Sequence, residues 1–479
     1  MRLLSKLPFL LAASVAVQAQ TSYVLPIKGY AKTSVNTVVF RGNSVVTHGN
    51  TQYTAFYDAD GKVVLAKRAL GSSAWETKTT AFSGTVSDAH NSISLGIDGD
   101  GILHMAWNMH GTALTYAKAS AAGSLELTKS SMLGTLETSV TYPQFFRRAD
   151  GGLLFMYRDG SSGNGNLVLN LYDGASKAWK RLHDKVIDGE GARNAYWEAY
   201  LDESGVLHVG WVWRETSDVA TNHDQCYARS RDGGLTWEKS TGAKYTLPIT
   251  QATAELAWKV PQNRELINQT SIFGDDKGRP YIAAYWTDSV TGIPQYQLVW
   301  NDGSAWKCSK ISDRKLDFTL SGGGTKRIPI SRPQLVVERK GDSIGAVVVF
   351  RDQERGWKVS AYRTENVLKN VWTVRDLSDS SVGLWEPSYD PELWKTKKLL
   401  GIFVQKSEQG DGETTVDLPA QSVSILEWSP FASTSGVVVQ KVRAMPATKG
   451  RFDALGREIR PVSENISPMD RVDVGGMSK

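Results

Sequence analysis

Histidine, tyrosine and arginine residues, which can transfer protons and bind anions, occur in pairs along the first half of this chain. The pairs are His90 with His110, Tyr142 with Arg158, and Tyr196 with Arg214. Neutral histidine is a good general base near pH 7, and arginine grips a carboxylate through two parallel hydrogen bonds. Tyrosine serves as an acid, or as a base where a nearby arginine lowers its pKa. No obvious pair of carboxylates, which glycoside hydrolysis usually requires, accompanies them.

These residue types suit β-elimination from a uronic acid. A cation must neutralise the sugar carboxylate so that the C5 proton becomes acidic. A base must then remove that proton while an acid protonates the departing O4 oxygen. The chemistry therefore requires the three pairs to lie within reach of one sugar ring.

The first pair belongs to a predicted β-hairpin in the stretch DAHNSISLGIDGDGILHMAWNMH, where two apolar runs flank an Asp-Gly-Asp-Gly turn. Pairing Ile97 with Ile102 across this turn places His90 opposite Met109, next to His110. The two histidines are thus predicted to meet at the end of the hairpin away from the turn.

The second pair follows the same pattern in TYPQFFRRADGGLLFMYR. Pairing Phe146 with Leu153 places Arg158 opposite Thr141 and beside Tyr142. These two side chains are also predicted at the end of their hairpin that lies away from the turn.

The third hairpin lies in RNAYWEAYLDESGVLHVGWVWR. Pairing Leu201 with Val206 places Tyr196 opposite Trp211, and Arg193 opposite Arg214 at the same end. Three successive hairpins therefore carry their polar residues at equivalent ends.

A strand–turn–strand unit recurs along the chain, which predicts an all-β fold. The turn glycines are Gly61, Gly101, Gly151, Gly205, Gly278 and Gly341, and YDPELWKTKKLLGIFVQ is a looser seventh copy. Such units are typical of a propeller with four-stranded blades, so we predict a seven-bladed β-propeller over residues 24–435. A β-sandwich or a parallel β-helix is the alternative. In a propeller, equivalent strand ends converge on one face, which predicts a common pocket for the three pairs.

The motif SRDGGLTW at residues 230–237 supports the propeller, because it matches the Asp-box turn. Its aspartate can accept hydrogen bonds from turn amides, its glycines allow positive φ, and its tryptophan packs beneath the turn. The motif is structural and says nothing about substrate.

The termini and the charge balance indicate an exported protein. Residues 1–19 have a basic start, an apolar centre and a small-residue cleavage site, as in a secretory signal peptide. No later run is long enough to span a membrane, and the net charge of +5 gives no nucleic-acid signature. We expect a secreted, extracellular or periplasmic monomer whose partner is an anionic polysaccharide. Residues 445–479 are predicted to form a polar tail.

Other residues are weaker candidates for ligands. His223 and Cys226 could contribute to a structural zinc site, with His183 and His208 as further ligands by residue type alone. A structural calcium is the other metal we consider, and no cofactor is expected to be required. Arg332, just before a predicted strand, could bind substrate on the axial face or form a surface salt bridge.

Several stretches resemble the BNR-4 propeller family of secreted polysaccharide lyases, which includes ulvan lyases and lyases of gum arabic-type rhamnose–glucuronate side chains. They are DAHNSISLGIDGDGILHMAWNMH, TYPQFFRRADGGLLFMYRDGSSGNG, WVWRET, NHDQCYARSRDGGLTW and GGGTKRIPISRPQ. The resemblance covers roughly residues 30–400 and implies cleavage of a 4-O-linked glucuronate by β-elimination. It matches His90 and His110 to catalytic histidines, Tyr142 to a catalytic tyrosine, Arg158 to the uronate-binding arginine, and Tyr196 (or Tyr200) to a substrate-binding tyrosine.

Two other functions fit a propeller that carries an Asp-box. A sialidase-like glycoside hydrolase would need three arginines, a Tyr–Glu nucleophile pair and an acidic aspartate. Its arginines could come from Arg158, Arg214, Arg332 and Arg351. A non-catalytic glycan-binding propeller would need aromatic platforms but no base. Both functions leave His90 and His110 without a role.

Overall fold

The computed structural model describes residues 20–432, which form a mostly β structure. The predicted signal peptide (1–19) and polar tail (445–479) lie outside these residues, as do the last three residues of the predicted 24–435 domain. No helix within the described range is long and apolar enough to cross a membrane.

The strands follow one another along the chain in short antiparallel groups. In order they are β1 (Gln20–Gly29); β2 (Val45–His48), β3 (Thr51–Tyr57), β4 (Lys62–Ala69) and β5 (Glu76–Ser83); β6 (Ile93–Ile97), β7 (Leu103–Trp107), β8 (His110–Thr112), β9 (Tyr116–Ala119) and β10 (Leu127–Lys129); β11 (Val140–Arg147), β12 (Leu153–Ser161), β13 (Asn164–Asp173) and β14 (Ala178–Ile187); β15 (Asn194–Leu201), β16 (Leu207–Arg214), β17 (Asn222–Ser230) and β18 (Glu255–Trp258); β19 (Ser271–Gly274), β20 (Pro280–Thr287), β21 (Pro294–Asn301) and β22 (Trp306–Lys310); β23 (Gln334–Lys340), β24 (Ser343–Asp352), β25 (Lys358–Thr364) and β26 (Thr373–Asp376); β27 (Leu400–Gln405) and β28 (Gln421–Trp428). One helix, α1 (Pro391–Lys397), and 3-10 turns at Val219–Thr221, Gln353–Arg355 and Val367–Lys369 complete the elements of this part of the chain.

Antiparallel pairing between neighbours in sequence organises these strands into sheets. Four sheets have four strands each: β2–β5, β6 with β7, β9 and β10, β19–β22, and β23–β26. The groups β11–β14 and β15–β18 are joined into one larger sheet by a parallel bridge between Gly165 and Asn194, and β8 pairs with β11. The last sheet places β28 between β1 and β27, so the two ends of the described chain share one sheet.

A recurring Asp-x-x-Gly turn explains why the hairpins repeat. In each copy the aspartate Oδ1 accepts hydrogen bonds from the backbone N–H groups two and four residues later, and the glycine has a positive φ that other residues rarely adopt. The copies are Asp58–Gly61, Asp98–Gly101, Asp202–Gly205 and Asp275–Gly278. The aspartate therefore closes each loop by a local interaction that needs no distant residue.

This turn shifts the register from the one predicted. Asp98 bonds to Ile102 across the turn, so Ile97 pairs with Leu103 and not with Ile102. Likewise Leu201 pairs with Leu207 and not with Val206, so Arg214 lies opposite Asn194 and not opposite Arg193, which forms ion pairs with Glu190 and Glu215. The predicted pairings were wrong by one residue because the turn is one residue longer than predicted: the residue after the glycine still belongs to the turn, where its carbonyl accepts from the aspartate N–H.

A β-bulge corrects the same error within the second hairpin. Phe146 pairs with Leu154, one residue from the prediction, yet Thr141 lies opposite Arg158 as predicted. The register changes between Thr141 and Gln144, where Tyr142 has a φ of 59°. An extra residue in one strand redirects a side chain, and here the redirected side chain is that of Tyr142.

Two buried histidines are structural parts of this repeat. His104 Nδ1 bonds to the Tyr116 hydroxyl at 2.6 Å, and its Nε2 lies 3.5 Å from the turn residue Asp98. His208 makes the equivalent contacts at 2.8 and 3.1 Å, to the Tyr227 hydroxyl and to Asp202. His208 therefore ties its turn to its strands and is not placed as a metal ligand.

The Asp-box turn is built by its own polar side chains. Asp232 accepts hydrogen bonds from the backbone N–H and the hydroxyl of Thr236, at 2.9 and 2.6 Å. Trp237 is buried and its Nε1 donates to the Gly234 carbonyl at 3.1 Å. The turn thus stabilises the chain where it leaves β17, as its motif indicates.

The carboxyl group of Glu198 on β15 is buried, and this gives the fold an expected sensitivity to alkaline pH. Glu198 lines an inner cavity of about 80 Å³ and accepts a hydrogen bond from Gln144 Nε2 at 2.9 Å. Burial raises its pKa from 4.5 to about 8, against the opposing effects of Gln144 and Arg332. Since the raised pKa favours the neutral form, its contribution to stability is complete below pH 4.5 and is lost as pH rises through about 8.

Replacing Glu198 with glutamine, which is neutral at every pH, is therefore expected to stabilise the protein under alkaline conditions. The gain in free energy of unfolding is expected to reach a few kcal/mol, at about 1.4 kcal/mol per pKa unit, above pH 8 and to vanish in mild acid. Urea unfolding at several pH values measures it, with exposed Glu203→Gln as the control. Parallel pH dependence in wild type and E198Q would contradict the prediction.

Candidate active site

Seven of the residues singled out in the sequence line one cavity of about 180 Å³. They are His90, His110, Tyr142, Arg158, Tyr196, Arg214 and Arg332. His90 precedes β6 and His110 begins β8, whereas Tyr142 and Arg158 lie on the paired strands β11 and β12. The ends of consecutive hairpins thus lie along the same cavity, although their residues are far apart in sequence.

The two histidine rings are stacked on each other. Their centroids are 3.9 Å apart with an interplanar angle of 11°, and Phe40 stacks on the other face of His90 at 4.9 Å. One carboxylate holds both rings: Asp88 Oδ1 lies 3.1 Å from His90 Nδ1, and its Oδ2 lies 2.7 Å from His110 Nδ1. An N–H at each Nδ1 satisfies these bonds and leaves each Nε2 as a proton acceptor in the neutral ring.

Carboxylates also set the charge preference of these groups. Burial alone would lower the pKa of His90, but hydrogen bonds to Asp88 and Glu413 outweigh it and raise that pKa above 6.5. Burial would raise the pKa of Asp88, but hydrogen bonds from His110 and His90 hold it well below its usual range. Asp88 is therefore ionised at neutral pH, as an acceptor from both imidazoles must be.

Two tyrosines in the cavity have pKa values that move in opposite directions. The rings of Tyr142 and Tyr196 lie 6.0 Å apart in an edge-to-face arrangement. Burial raises the pKa of Tyr142 well above 10 despite the nearby arginines. In Tyr196 burial acts the same way, but Arg214 and Arg158 outweigh it and lower the pKa. Tyr142 therefore remains a hydroxyl donor, whereas Tyr196 forms a phenolate more easily.

Arg158 and Arg214 are buried cations without a carboxylate partner. Arg158 donates to the Thr141 hydroxyl at 2.9 Å, and its guanidinium lies 4.9 Å from the centre of the Tyr142 ring. Arg214 donates to the Tyr196 hydroxyl at 3.3 Å and to the Ser217 carbonyl. Neither has an ion pair with any described residue, and the Nε of each is buried without a partner. Two unneutralised charges beside a cavity favour an anionic ligand.

Arg332 differs, because Glu386 neutralises it. Its Nε lies 2.9 and 3.1 Å from the two carboxylate oxygens of Glu386, and both side chains are buried. Its guanidinium also lies 5.3 Å from the centre of the Phe40 ring, which stacks on His90. Arg332 therefore forms a salt bridge, but a buried one and not the surface salt bridge considered as the alternative. The ion pair lies in the wall of the cavity.

The structure also separates Tyr196 from Tyr200. Tyr196 lines the cavity that contains the histidines, and its hydroxyl lies 2.9 Å from that of Ser162. Tyr200 stacks on Phe273 and lines the inner cavity of Glu198. Of these two tyrosines, Tyr196 is therefore the one that can contact a molecule bound beside the histidines.

His223 and Cys226 have separate surroundings. His223 Nε2 lies 2.9 Å from Glu215 and its Nδ1 lies 3.0 Å from Asp224, whereas Cys226 is a buried free thiol whose pKa is raised by burial. Within the described residues, the one trio with ligand atoms inside 4.8 Å of one another is Asp88, His90 and His110. Because both Nδ1 atoms of that trio already bond to Asp88, we interpret it as a hydrogen-bonded unit. A structural zinc or calcium stays a prediction.

Sequence reasoning missed the carboxylates of the site. Asp88 had a local signal, since an aspartate two residues before a histidine can accept from its backbone N–H, as Asp88 does from His90 at 2.9 Å. Glu386 and Glu413 had none, because they lie hundreds of residues away from backbone groups that they contact. These two glutamates reach the site only because the last strand groups of the described chain pack near the first ones.

Comparisons with known proteins show which sequences and folds this chain resembles. The sequence profile of the BNR repeat-containing family matches residues 51–314. The long isoform of ulvan lyase from Alteromonas sp. (strain LOR) is 26% identical over 226 residues, covering 36% of this chain and 22% of that protein. The short isoform from the same strain is 30% identical over 129 residues, covering 24% of each. The match thus spans less than a quarter of the length of these curated relatives.

Solved structures show the same fold. The crystal structure of polysaccharide lyase Uly1 has a TM-score of 0.62 at 15% identity and covers 86% of this chain and 99% of that one. A PL25 ulvan lyase bound to -[GlcA(1-4)Rha3S]- has a TM-score of 0.58 at 13% identity, covering 83% and 96%. At these identities the likeness concerns the fold alone.

Proposed function

This chain belongs to the BNR repeat-containing family, and from that premise we propose that it is a polysaccharide lyase that cleaves a 4-O-linked glucuronate by β-elimination. The observation that carries the proposal is the cavity itself. Two unneutralised arginines, Arg158 and Arg214, lie beside the stacked histidines and Tyr142. This combination supplies an anion clamp, a base and an acid within the space of one sugar ring.

The same premise supports a seven-bladed β-propeller. The seven consecutive strand groups fit seven blades, and the sheet that joins β1 to β27 and β28 fits closure of the ring by the two chain ends. The fold shared with Uly1 over 99% of that chain supports the same architecture. A ring of blades accounts for the meeting of hairpin ends at one cavity.

In the proposed reaction Arg158 binds the glucuronate carboxylate, with Arg214 beside it, and so makes the C5 proton acidic. The neutral Nε2 of His90 takes that proton, and the electron pair of the C5–H bond forms the C4–C5 double bond. The C4–O4 bond breaks, and Tyr142 donates its phenolic proton to the O4 oxygen. Asp88 holds His90 and His110 in the required tautomer throughout.

The substrate proposed is a rhamnose-rich, glucuronate-containing polysaccharide such as ulvan or gum arabic-type side chains. The test is to incubate the protein with these glycans and follow the ultraviolet absorbance of the unsaturated uronate. Hydrolysis by a sialidase-like enzyme would instead incorporate oxygen from ¹⁸O-labelled water without that absorbance. Binding without cleavage would indicate a glycan-binding propeller.

Replacing Arg158 with alanine is expected to weaken binding and turnover together, because its charge meets the carboxylate in the ground state and in the transition state. A hydrogen bond to a charged group contributes about 1.5–3 kcal/mol, so kcat/KM is expected to fall roughly 10- to 100-fold. Initial rates over a range of glycan concentrations give both constants. Arg148→Ala, whose side chain pairs with Asp150 away from the cavity, is the matched control. Equal losses in both variants would contradict the assignment.

A further inference from the structure

The connection between β27 and β28 brings one side chain into contact with His90. We name residues 408–417 of this connection the closing loop. Its backbone N–H groups donate at Glu408 to the Ala31 carbonyl, at Gly412 to the Thr325 carbonyl and at Val416 to the Lys32 carbonyl, each at 2.9 Å. The loop is therefore anchored to the start of the described chain and to the segment before β23.

One side chain of the closing loop, Glu413, reaches the histidine cluster. Its Oε1 accepts from the Thr325 backbone N–H at 2.7 Å and from the Thr325 hydroxyl at 2.8 Å. Its Oε2 accepts from the Ala89 N–H at 3.2 Å, and its Oε1 lies 3.1 Å from His90 Nδ1. Glu413 has a φ of 62°, so the backbone adopts an unfavourable conformation at this residue.

We propose that Glu413 is a positioning residue that holds the His90 ring by its Nδ1, so that Nε2 is presented to the substrate. The proposal rests on the proposed lyase function and extends it to a residue outside the family match of residues 51–314. Asp88 serves two imidazoles and the His90 backbone N–H, whereas Glu413 contacts His90 alone of the two rings. Glu413 does not line the cavity, so it acts through His90 and not on the sugar.

The groups that face His90 determine how its pKa changes when the Glu413 carboxylate is removed. Asp88 faces it from its own loop, the His110 ring from β8, the Tyr142 ring from β11, and Glu413 from the closing loop. Asp88 and Glu413 favour a protonated ring, and Phe40 adds no charge. Removing the Glu413 charge therefore lowers the pH at which His90 loses its proton, because only Asp88 remains to stabilise the imidazolium.

Glu413→Gln tests this positioning role, since the amide removes the charge and keeps one oxygen, which can accept from either Thr325 or Ala89. A base works only when unprotonated, so the rising limb of the kcat profile is expected at lower pH in E413Q than in wild type. With one charged hydrogen bond lost, kcat at the plateau is expected to fall roughly tenfold with KM little changed. Asp411→Asn is the matched control, because Asp411 is on the same loop and accepts from Arg327 N–H, away from His90.

A second measurement does not depend on activity. In protein labelled with ¹³C-histidine, the Cε1–H signal that disappears in His90→Gln reports the titration of His90 directly. Its midpoint is expected to fall in E413Q and to stay unchanged in D411N. If E413Q does not fold, Glu413→Asp, which withdraws the carboxylate by one methylene, is expected to move the midpoint in the same direction.

The outcomes separate the two proposals. A lowered midpoint without any lyase activity would retain the positioning role and reject the proposed reaction. An unchanged midpoint in a folded E413Q or E413D, or an equal shift in D411N, would overturn the role of Glu413 even if elimination is observed.

Discussion

Replacing His90 with alanine is expected to lower kcat on the glucuronate glycan by about 10²–10⁴-fold, the range typical of a lost general base. His90 lines the cavity, and its Nδ1 is held by Asp88 and Glu413, so Nε2 is the nitrogen left to take the C5 proton. KM is expected to change much less, because the carboxylate clamp of Arg158 and Arg214 remains. Initial-rate measurement of the unsaturated product gives both constants.

The control for this variant is His183→Ala. His183 lies on β14 and bonds to the Gly234 carbonyl at 2.7 Å, outside the cavity, so its loss is expected to leave kcat near wild type. His90→Gln provides a second variant, since a bulkier side chain leaves less empty space beneath Phe40 than alanine does. Near-normal kcat in folded H90A and H90Q, with elimination still observed, would remove His90 from the role of base.

The sequence predicts those parts of the site that lie at the ends of the repeated hairpins. His90 and His110, or Tyr142 and Arg158, occupy the ends of hairpins, and hairpin ends can be recognised from turn glycines and apolar runs. A one-residue error in register did not prevent this, because each end still converges on the same cavity. The exact partner across the strand was lost, since a shift of one residue changes which side chains face each other.

The features that sequence reasoning missed depend on long-range closure or on backbone detail. The bulge at Tyr142 has no residue signature such as glycine, although it decides where the phenol points. Glu413 bonds to the backbone beside His90 across 324 residues, and Glu386 reaches Arg332 across 54, through packing of separate strand groups. Conversely, the buried contact between Asp98 in its turn and His104 on β7 is structural, although it joins an aspartate to a histidine.

Tyr142→Phe is expected to produce the other large loss, again about 10²–10⁴-fold in kcat, because the variant keeps the ring but cannot donate a proton to O4. The raised pKa of Tyr142 keeps its hydroxyl protonated through neutral and alkaline pH, so wild-type activity is not expected to fall from its ionisation below pH 10. Arg158, 4.9 Å from the centre of the ring, is placed to stabilise the phenolate formed when the proton leaves.

The matched control is Tyr157→Phe, which removes a hydroxyl that donates to the Leu136 carbonyl at 3.0 Å outside the cavity. It is expected to affect stability more than kcat. A phenol leaves without protonation more readily than a sugar alcohol does, because it is more acidic. A substrate with an aryl group on O4 is therefore expected to recover much of the rate in Y142F, which lacks the acid, and little in H90A, which lacks the base. If Y142F keeps its kcat while Tyr196→Phe loses it, the proton donor is Tyr196 and the assignment of the acid is wrong.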